Sequence, residues 1–397
     1  MEAAEIASNI YWIGVNDRNT DLFEGMWPIP GGVSYNSYLL TGEKNILVDI
    51  VKPNVSETFL EQLSEFVDPK KLDYIILNHM EPDHTGILKT LHYIAPNAKF
   101  ILNKKTVPLL EAFYQIENDL HVVEEGDTLK LGHHELKFFI TPFLHWPETM
   151  MTYDVNNKIL FSCDAFGGYG AMKGSIFDDT VKDLEFYTQE ALRYYSNIVA
   201  KYYRMVLRGI EKLKDLSVSV IAPSHGLIWR KDPSAIVELY QKWASYSEET
   251  AEPGITMIYG SMYGNTEKMM NSIAQGVSKE GVTINVYDAA RVHPGFVLPS
   301  LLSNRGVLVG CPTYEGQIFL PVQYILEIAK RKNIGKKITG LFGSYGWKGG
   351  AIHHLTQMAN DLRWEVTDTF GFNGGPTKDD LLKGEKFGRD FAKRIKE

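Results

Sequence analysis

Cysteine is nearly absent from this sequence: Cys163 and Cys311 are the only two in 397 residues. Two thiols cannot build a disulfide framework, so a reducing, cytoplasmic setting is expected. Nor can two thiols form a four-thiolate iron centre of the rubredoxin or ferredoxin kind. Long apolar runs are lacking too. No stretch reaches the roughly 18 apolar residues of a membrane span, and the acidic N-terminus has no secretory pattern, so a soluble chain is expected. Positive charge is not in excess: 41 Lys and Arg stand against 49 Asp and Glu, a formal net charge of -8. That balance leaves no electrostatic footprint for nucleic acid or an anionic membrane surface. There is no Gly-x-x-x-x-Gly-Lys pattern, so a nucleoside triphosphate is not indicated. No internal repeat or low-complexity tract is evident.

What is present suits two or three globular domains of roughly 100–200 residues each. The first part reads as short strands: Ile10–Gly14, Ser37–Thr41 and Asn45–Ile50, with a hairpin turn at Gly42-Glu43-Lys44-Asn45. Leu72–Leu77 is almost wholly apolar, as a strand buried on both faces should be. Lys99–Asn103, Glu135–Thr141, Lys158–Cys163 and Val218–Ala222 read as further strands, and Asp183–Leu216 has helix-period apolar residues. The character changes near residue 250. Ser245–Gly254 is polar and ends in Pro253-Gly254, which reads as a linker between a domain of residues 1–250 and one of residues 251–397. Beyond it, strands (Ile255–Gly260, Thr283–Asp288, Gly306–Gly310, Ile338–Ser344) alternate with helices (Glu267–Glu280, Pro321–Arg331). That rhythm implies an α/β domain with a parallel sheet and helices on both faces.

One motif follows the buried strand directly: Asn78-His79-Met80-Glu81-Pro82-Asp83-His84-Thr85-Gly86. Four potential metal ligands (His79, Glu81, Asp83 and His84) fall there at the carboxyl end of a strand, where α/β sheets usually bind ligands. A lone His or Asp in such a loop is more often a turn former; four together point to metal. His145, Asp164 and His225 also sit at strand ends, and they extend the set.

The second half has three loops of its own. Ser261-Met262-Tyr263-Gly264-Asn265-Thr266 lies between a strand and a helix, where hydroxyls, backbone N–H groups and the helix N-terminus can cradle a phosphate. Gly310-Cys311-Pro312-Thr313-Tyr314-Glu315-Gly316 and Phe342-Gly343-Ser344-Tyr345-Gly346-Trp347-Lys348-Gly349-Gly350 follow later strands. Aromatics there can stack on a flat heterocycle while small residues admit its edge.

The strand-end set resembles the metallo-β-lactamase fold, an αββα sandwich whose hydrolases carry a His-x-His-x-Asp-His loop. Here Glu81 takes the place of the second His. A carboxylate in place of an imidazole makes the site harder and more anionic, which favours iron over zinc. His-x-Glu-x-Asp-His followed by His, Asp and His resembles the flavodiiron protein family, with spacing and order matching along the whole chain. That resemblance implies two irons: His79, Glu81 and His145 on one, Asp83, His84 and His225 on the other, and Asp164 bridging them. Family members differ in whether the His at position 84 reaches the metal.

The later loops resemble flavodoxin. This implies FMN, with Ser261 to Thr266 on its phosphate, Pro312, Thr313 and Tyr314 on one side of the ring, Tyr345, Gly346 and Trp347 on the other, and Glu315, Gly316 and Ser344 as further cofactor-binding residues. The expected sheet order is 2-1-3-4-5. The implied activity is reduction of dioxygen to water or of nitric oxide to nitrous oxide, with His84 and Tyr195 as candidate proton or hydrogen-bond donors. The implied partners are an external electron donor, rubredoxin or a reduced deazaflavin coenzyme, and a second subunit in a head-to-tail homodimer or a dimer of dimers. Two alternatives stand beside this reading: a zinc-dependent hydrolase with an attached flavin domain, and a flavodoxin-like electron carrier.

Overall fold

The computed structural model describes residues 2–248 and 251–397. The chain divides into two compact units, Met1–Gln241 and Lys242–Glu397.

The first unit contains two sheets. One has seven strands in the spatial order Ala4–Ala7, Ile10–Trp12, Tyr38–Leu40, Ile46–Val48, Tyr74–Ile76, Lys99–Asn103, Leu120–Val123. Its first half is antiparallel; from Ile46–Val48 onward the neighbours are parallel. Tyr74–Ile76 sits between two parallel neighbours, which explains its unbroken apolar run: Ile75, Ile76 and Leu77 are fully buried. The other sheet has five strands, Thr128–Leu131, His134–Ile140, Met150–Asp154, Ile159–Cys163 and Val220–Pro223. Its last two strands run parallel, so their carboxyl ends, carrying Asp164 and the Ser224-His225 turn, lie side by side.

The helix expected over Asp183–Leu216 is corrected in a way that bears on the site. Asp183 caps a helix Leu184–Tyr194 by accepting from the Phe186 N–H. A wide π turn follows at Tyr195–Val199, then a tight 3-10 turn at Ala200–Tyr202, and only then the helix Tyr203–Leu213. A π turn adds a residue to the helical repeat, so it breaks the register that the apolar spacing implied.

The second unit has five parallel strands in the spatial order Ile284–Asp288, Glu252–Tyr259, Asn304–Tyr314, Ile338–Tyr345, Glu365–Asn373. In chain order this is 2-1-3-4-5, as expected for a flavodoxin-like sheet. Helices Asn265–Lys279, Pro294–Ser303, Leu320–Arg331, Ala351–Asp361 and Lys378–Lys396 connect and follow the strands.

The expected linker Ser245–Gly254 is partly regular structure. Ser245 closes the helix Pro233–Ser245, Glu252 opens a strand, and Glu249 and Thr250 lie outside the described residues. Glu252 is anchored by the Tyr246 hydroxyl at 2.7 Å and by Lys242 Nζ at 2.8 Å, and the pairing register shifts across Pro253-Gly254. Among the described residues, no helix is long and apolar enough to cross a membrane.

Candidate metal centre and flavin cleft

The first-unit site is assembled from loops that their own backbones hold in place. Asp49 accepts from Asn78 N at 2.9 Å and Asn78 Nδ2 at 3.1 Å, and Thr152 Oγ1 donates to Asn78 Oδ1 at 2.8 Å. This fixes the residue just before His79. Pro82 starts a single helical turn, Pro82–Thr85, and Thr85 Oγ1 folds back to donate to Glu81 O at 2.9 Å. The His225 turn is clamped by a different segment: Asn36 Nδ2 donates to Pro223 O at 2.8 Å and Gly226 O at 3.0 Å, and Gly226 N donates to Ser34 Oγ at 2.8 Å. Gly226 has φ +77°, a conformation that glycine adopts without the steric penalty of a Cβ. Cys163, with φ +55° and directly before Asp164, tolerates the same strain as a non-glycine, which is common beside functional groups.

All seven predicted metal-site residues come together. The ligand atoms of His79, Glu81 and His145 lie within 4.8 Å of one another, as do those of Asp83, His84 and His225. Asp164 stands between the two groups. Its Oδ2 faces His79 Nε2 and His145 Nε2, each at 3.5 Å, and its Oδ1 faces His84 Nε2 at 3.2 Å and His225 Nε2 at 3.4 Å. Glu81 Oε2 completes the first group, 3.3 Å from His79 and 3.0 Å from His145. Asp83 gives one oxygen to His84 at 3.5 Å and the other to His225 at 3.3 Å.

The chemistry of this cluster calls for cations. His225 Nδ1 donates to the Ser34 carbonyl at 2.8 Å, and His79 Nδ1 lies 2.7 Å from Glu148 Oε1, an acceptor. Each Nε2 is therefore left with a lone pair facing carboxylates. In the bare protein this demands a second proton on the ring. Burial disfavours the charged imidazole, yet Asp164 and Asp83 outweigh it and lift His225 to about 10. Burial likewise opposes charge on His79, but Glu148, Glu81 and Asp164 push it well above the usual value. Burial would raise Asp164, and the imidazoles of His84, His225 and His79 instead hold it well below the carboxylate range. The buried atoms His84 Nε2, His225 Nε2 and both Asp83 carboxylate oxygens have no hydrogen-bond partner. Buried polar atoms are almost always paired. Four imidazoles and three carboxylates converging around such atoms suit two divalent ions sharing a carboxylate, and so fit a di-iron centre.

Two contributors escape sequence reasoning. Glu148, fully buried, takes His79 Nδ1 and the Met80 N–H (3.0 Å) on one oxygen. Its signal is an acidic residue three positions after His145, just before the strand Met150–Asp154. Tyr194, also fully buried, donates to Asp164 Oδ1 at 2.8 Å. The sequence points to the adjacent Tyr195 as a donor, but the hydroxyl bonded to this carboxylate is that of Tyr194. Tyr195 sits where the π turn begins, and its ring meets Tyr240 edge-on at 5.1 Å. His84 is within the cluster, as expected.

In the second unit, a cavity of about 500 Å³ opens at the carboxyl ends of the strands. This is within the range of small-molecule and cofactor sites. Every predicted flavin-site residue lines it except Gly264 and Gly316, and Gly374, after the fifth strand, joins them. Gly264 and Gly316 instead shape the loops, with φ of +82° and +78°. Ser261 Oγ accepts from the Gly264 N–H at 3.0 Å, and Thr266 and Ser344 join their hydroxyls at 2.9 Å, tying the first loop to the third. The helix Asn265–Lys279 starts at this loop, so its N-terminal N–H groups lie where a phosphate would sit. Trp347 lines the cavity at its rim and is 97% exposed. Aromatic walls beside a helix N-terminus fit a flavin with a phosphate tail.

Comparison with known proteins finds a matching family in each unit. Residues 33–226 match the ODP family beta lactamase, and residues 257–388 match flavodoxin. The anaerobic nitric oxide reductase flavorubredoxin of Pectobacterium carotovorum subsp. carotovorum is 35% identical over 400 residues, covering 99% of this chain and 78% of that protein. The rubredoxin oxygen:oxidoreductase of Desulfovibrio gigas is 28% identical with a TM-score of 0.94, covering 100% of this chain and 99% of that one. A mutant flavo di-iron protein of Thermotoga maritima is 31% identical with a TM-score of 0.91, covering 99% and 98%. Likeness at that identity over nearly the full length of both chains, with the same two folds in the same order, places this chain in the flavodiiron protein family.

Proposed function

We propose that this protein reduces dioxygen to water, nitric oxide to nitrous oxide, or both, at a pair of non-haem irons in residues 1–250, with an FMN in residues 251–397 relaying electrons from an external donor. The observation that carries this reading is the orientation of Asp164, with one carboxylate oxygen toward each group of imidazoles. His79, Glu81 and His145 would hold one ion, Asp83, His84 and His225 the other. When bound, two irons and an FMN together hold the four electrons that dioxygen reduction requires.

The remaining roles belong to side chains. Glu81, Asp83 and Asp164 offset the metal charge, so that the pair stays near neutrality in a buried setting. Ser34 and Glu148 hold two imidazoles in the tautomer that presents Nε2. A cavity of about 330 Å³, lined by Phe23, Tyr35, Glu81 and Asp83 among others, gives a small diatomic room to approach. In the second unit, the loop Ser261 to Thr266 takes the FMN phosphate, while residues 312–316 and 344–347 flank the ring.

Rubredoxin appears in the names of two relatives, which supports a rubredoxin as donor over a reduced deazaflavin. A head-to-tail homodimer in the cytoplasm completes the reading, with each FMN facing the irons of the other subunit. The replacement of an imidazole by Glu81 weighs against a zinc hydrolase. The deciding experiment is anaerobic turnover with each gas in turn, on protein assayed for iron and FMN and reduced by an artificial donor. Consumption of either gas, lost in Asp164→Ala with FMN retained, is expected. Two zinc ions per chain with no gas consumption would overturn the proposal.

A further inference from the structure

We propose that Glu148 sets a redox asymmetry in the metal pair: through His79 it lowers the reduction potential at the position facing His79, Glu81 and His145 below that at the position facing Asp83, His84 and His225. This rests on the di-iron reading above.

By simple count the two positions are equal. Each has two imidazoles, one carboxylate of its own and one oxygen of Asp164. The difference lies one bond further out, in the partners of His79 and His225. The second position has a buried carboxylate too, Asp49 within 4.8 Å of His84, but its oxygens accept from Asn78 N, Asn78 Nδ2 and Ser224 Oγ, which disperse its charge. His225 Nδ1 donates to a neutral backbone carbonyl, Ser34 O, at 2.8 Å. His79 Nδ1 meets a carboxylate, Glu148 Oε1, at 2.7 Å, with both side chains fully buried. A carboxylate draws the Nδ1 proton more strongly than an amide carbonyl does, and so makes the opposite nitrogen a better electron donor. Its charge also acts through a low-dielectric interior, where it is poorly screened. Little else disperses that charge: Oε1 has one further donor, Met80 N, and Oε2 is buried with no hydrogen bond.

A second, independent contact acts in the same direction. The Tyr194 hydroxyl donates to Oδ1 of Asp164 at 2.8 Å, the oxygen facing His84 and His225, while Oδ2 receives only the weak thiol contact of Cys163 Sγ at 3.8 Å. A hydrogen bond to that oxygen reduces what it can donate to the second position. Glu148 enriches one side while Tyr194 depletes the other. Both are positioning residues, since they act through His79 and Asp164.

The test is a stepwise reduction of ⁵⁷Fe-loaded, full-length protein by dithionite without gas, from diferric to diferrous, followed by Mössbauer and EPR spectroscopy. The wild type should take its two electrons at separated potentials and accumulate a half-reduced state. Glu148→Gln keeps the shape and the acceptor for His79 but removes the charge. It should raise the lower potential and shrink the half-reduced fraction at unchanged iron content, a shift that loss of packing would not produce. Tyr194→Phe should narrow the gap from the other side. If Glu148→Gln loses iron, Tyr194→Phe decides alone. Unchanged separation in an iron-replete variant would overturn the inference. A wild type with two irons but no separation would overturn it while leaving the proposed function standing; a wild type that binds no iron would remove the function itself.

Discussion

The Tyr194 hydroxyl donates to Asp164 Oδ1 at 2.8 Å, and both side chains are buried at the meeting point of two groups of imidazoles. The bond ties the end of the helix Leu184–Tyr194 to the carboxylate that follows the strand Ile159–Cys163. Hydrogen bonds to a charged group contribute about 1.5–3 kcal/mol. Tyr194→Phe should therefore lower the stability of the metal-free protein by an amount of that order. Chemical denaturation of the apo protein measures this, and retained iron binding after reconstitution would show that Tyr194 orients Asp164 without being a ligand.

Asn36 governs the His225 turn from a distant segment. Its Nδ2 donates to Pro223 O and Gly226 O, while its Oδ1 accepts from Trp12 Nε1 at 2.9 Å. Asn36→Leu leaves Gly226 O and Trp12 Nε1 without these partners, at about 1–3 kcal/mol for each, while Pro223 O keeps the Tyr38 hydroxyl at 2.6 Å. The expected outcome is a clear fall in melting temperature and iron content below two per chain. Calorimetry and metal analysis check both.

Gly264 holds φ +82° at the first turn of the flavin loop. A β-branched residue there meets a left-handed penalty of roughly 1–2 kcal/mol. Gly264→Val should weaken FMN binding about tenfold or more while leaving iron content unchanged. Fluorescence titration of flavin-stripped protein reports the first and metal analysis the second.

Lys337 sits fully buried before the strand Ile338–Tyr345, with Nζ donating to Leu302 O at 2.8 Å. Burial pushes it from the ordinary 10.5 down to about 7. Between those two values the unfolded chain keeps a proton that the folded chain has released. Stability contributed by this group therefore rises with pH across that window, and the full penalty applies below it. Lys337→Met should stabilise the protein at pH 7 by up to several kcal/mol, with the gain shrinking toward pH 10. Denaturation at a series of pH values tests the sign as well as the size.

The strand Tyr74–Ile76 and the motif behind it were legible because burial on both faces leaves a continuous apolar run, and the ligands follow within a few residues. The parallel sheet of the second unit was legible because strands alternate with helices, and its 2-1-3-4-5 order followed from the resemblance of the three loops to flavodoxin. The stretch Asp183–Leu216 was not, since apolar spacing carries no signal for a π turn. The expected linker fell short for a related reason: Pro253-Gly254 reads as a break, but anchoring of Glu252 and a shift in pairing carry the strand through it.

Residue type and local order settled which groups gather here, because a metal set of four imidazoles and three carboxylates is a matter of composition at strand ends. Which oxygen of Asp164 faces which imidazole, and whether a charged or a neutral acceptor stands behind each ring, was decided by tertiary structure alone. Those pairings join residues 19 to 191 positions apart. Adjacent tyrosines have the same chemistry, and only the turn of the backbone between them chose Tyr194 over Tyr195 to meet the carboxylate.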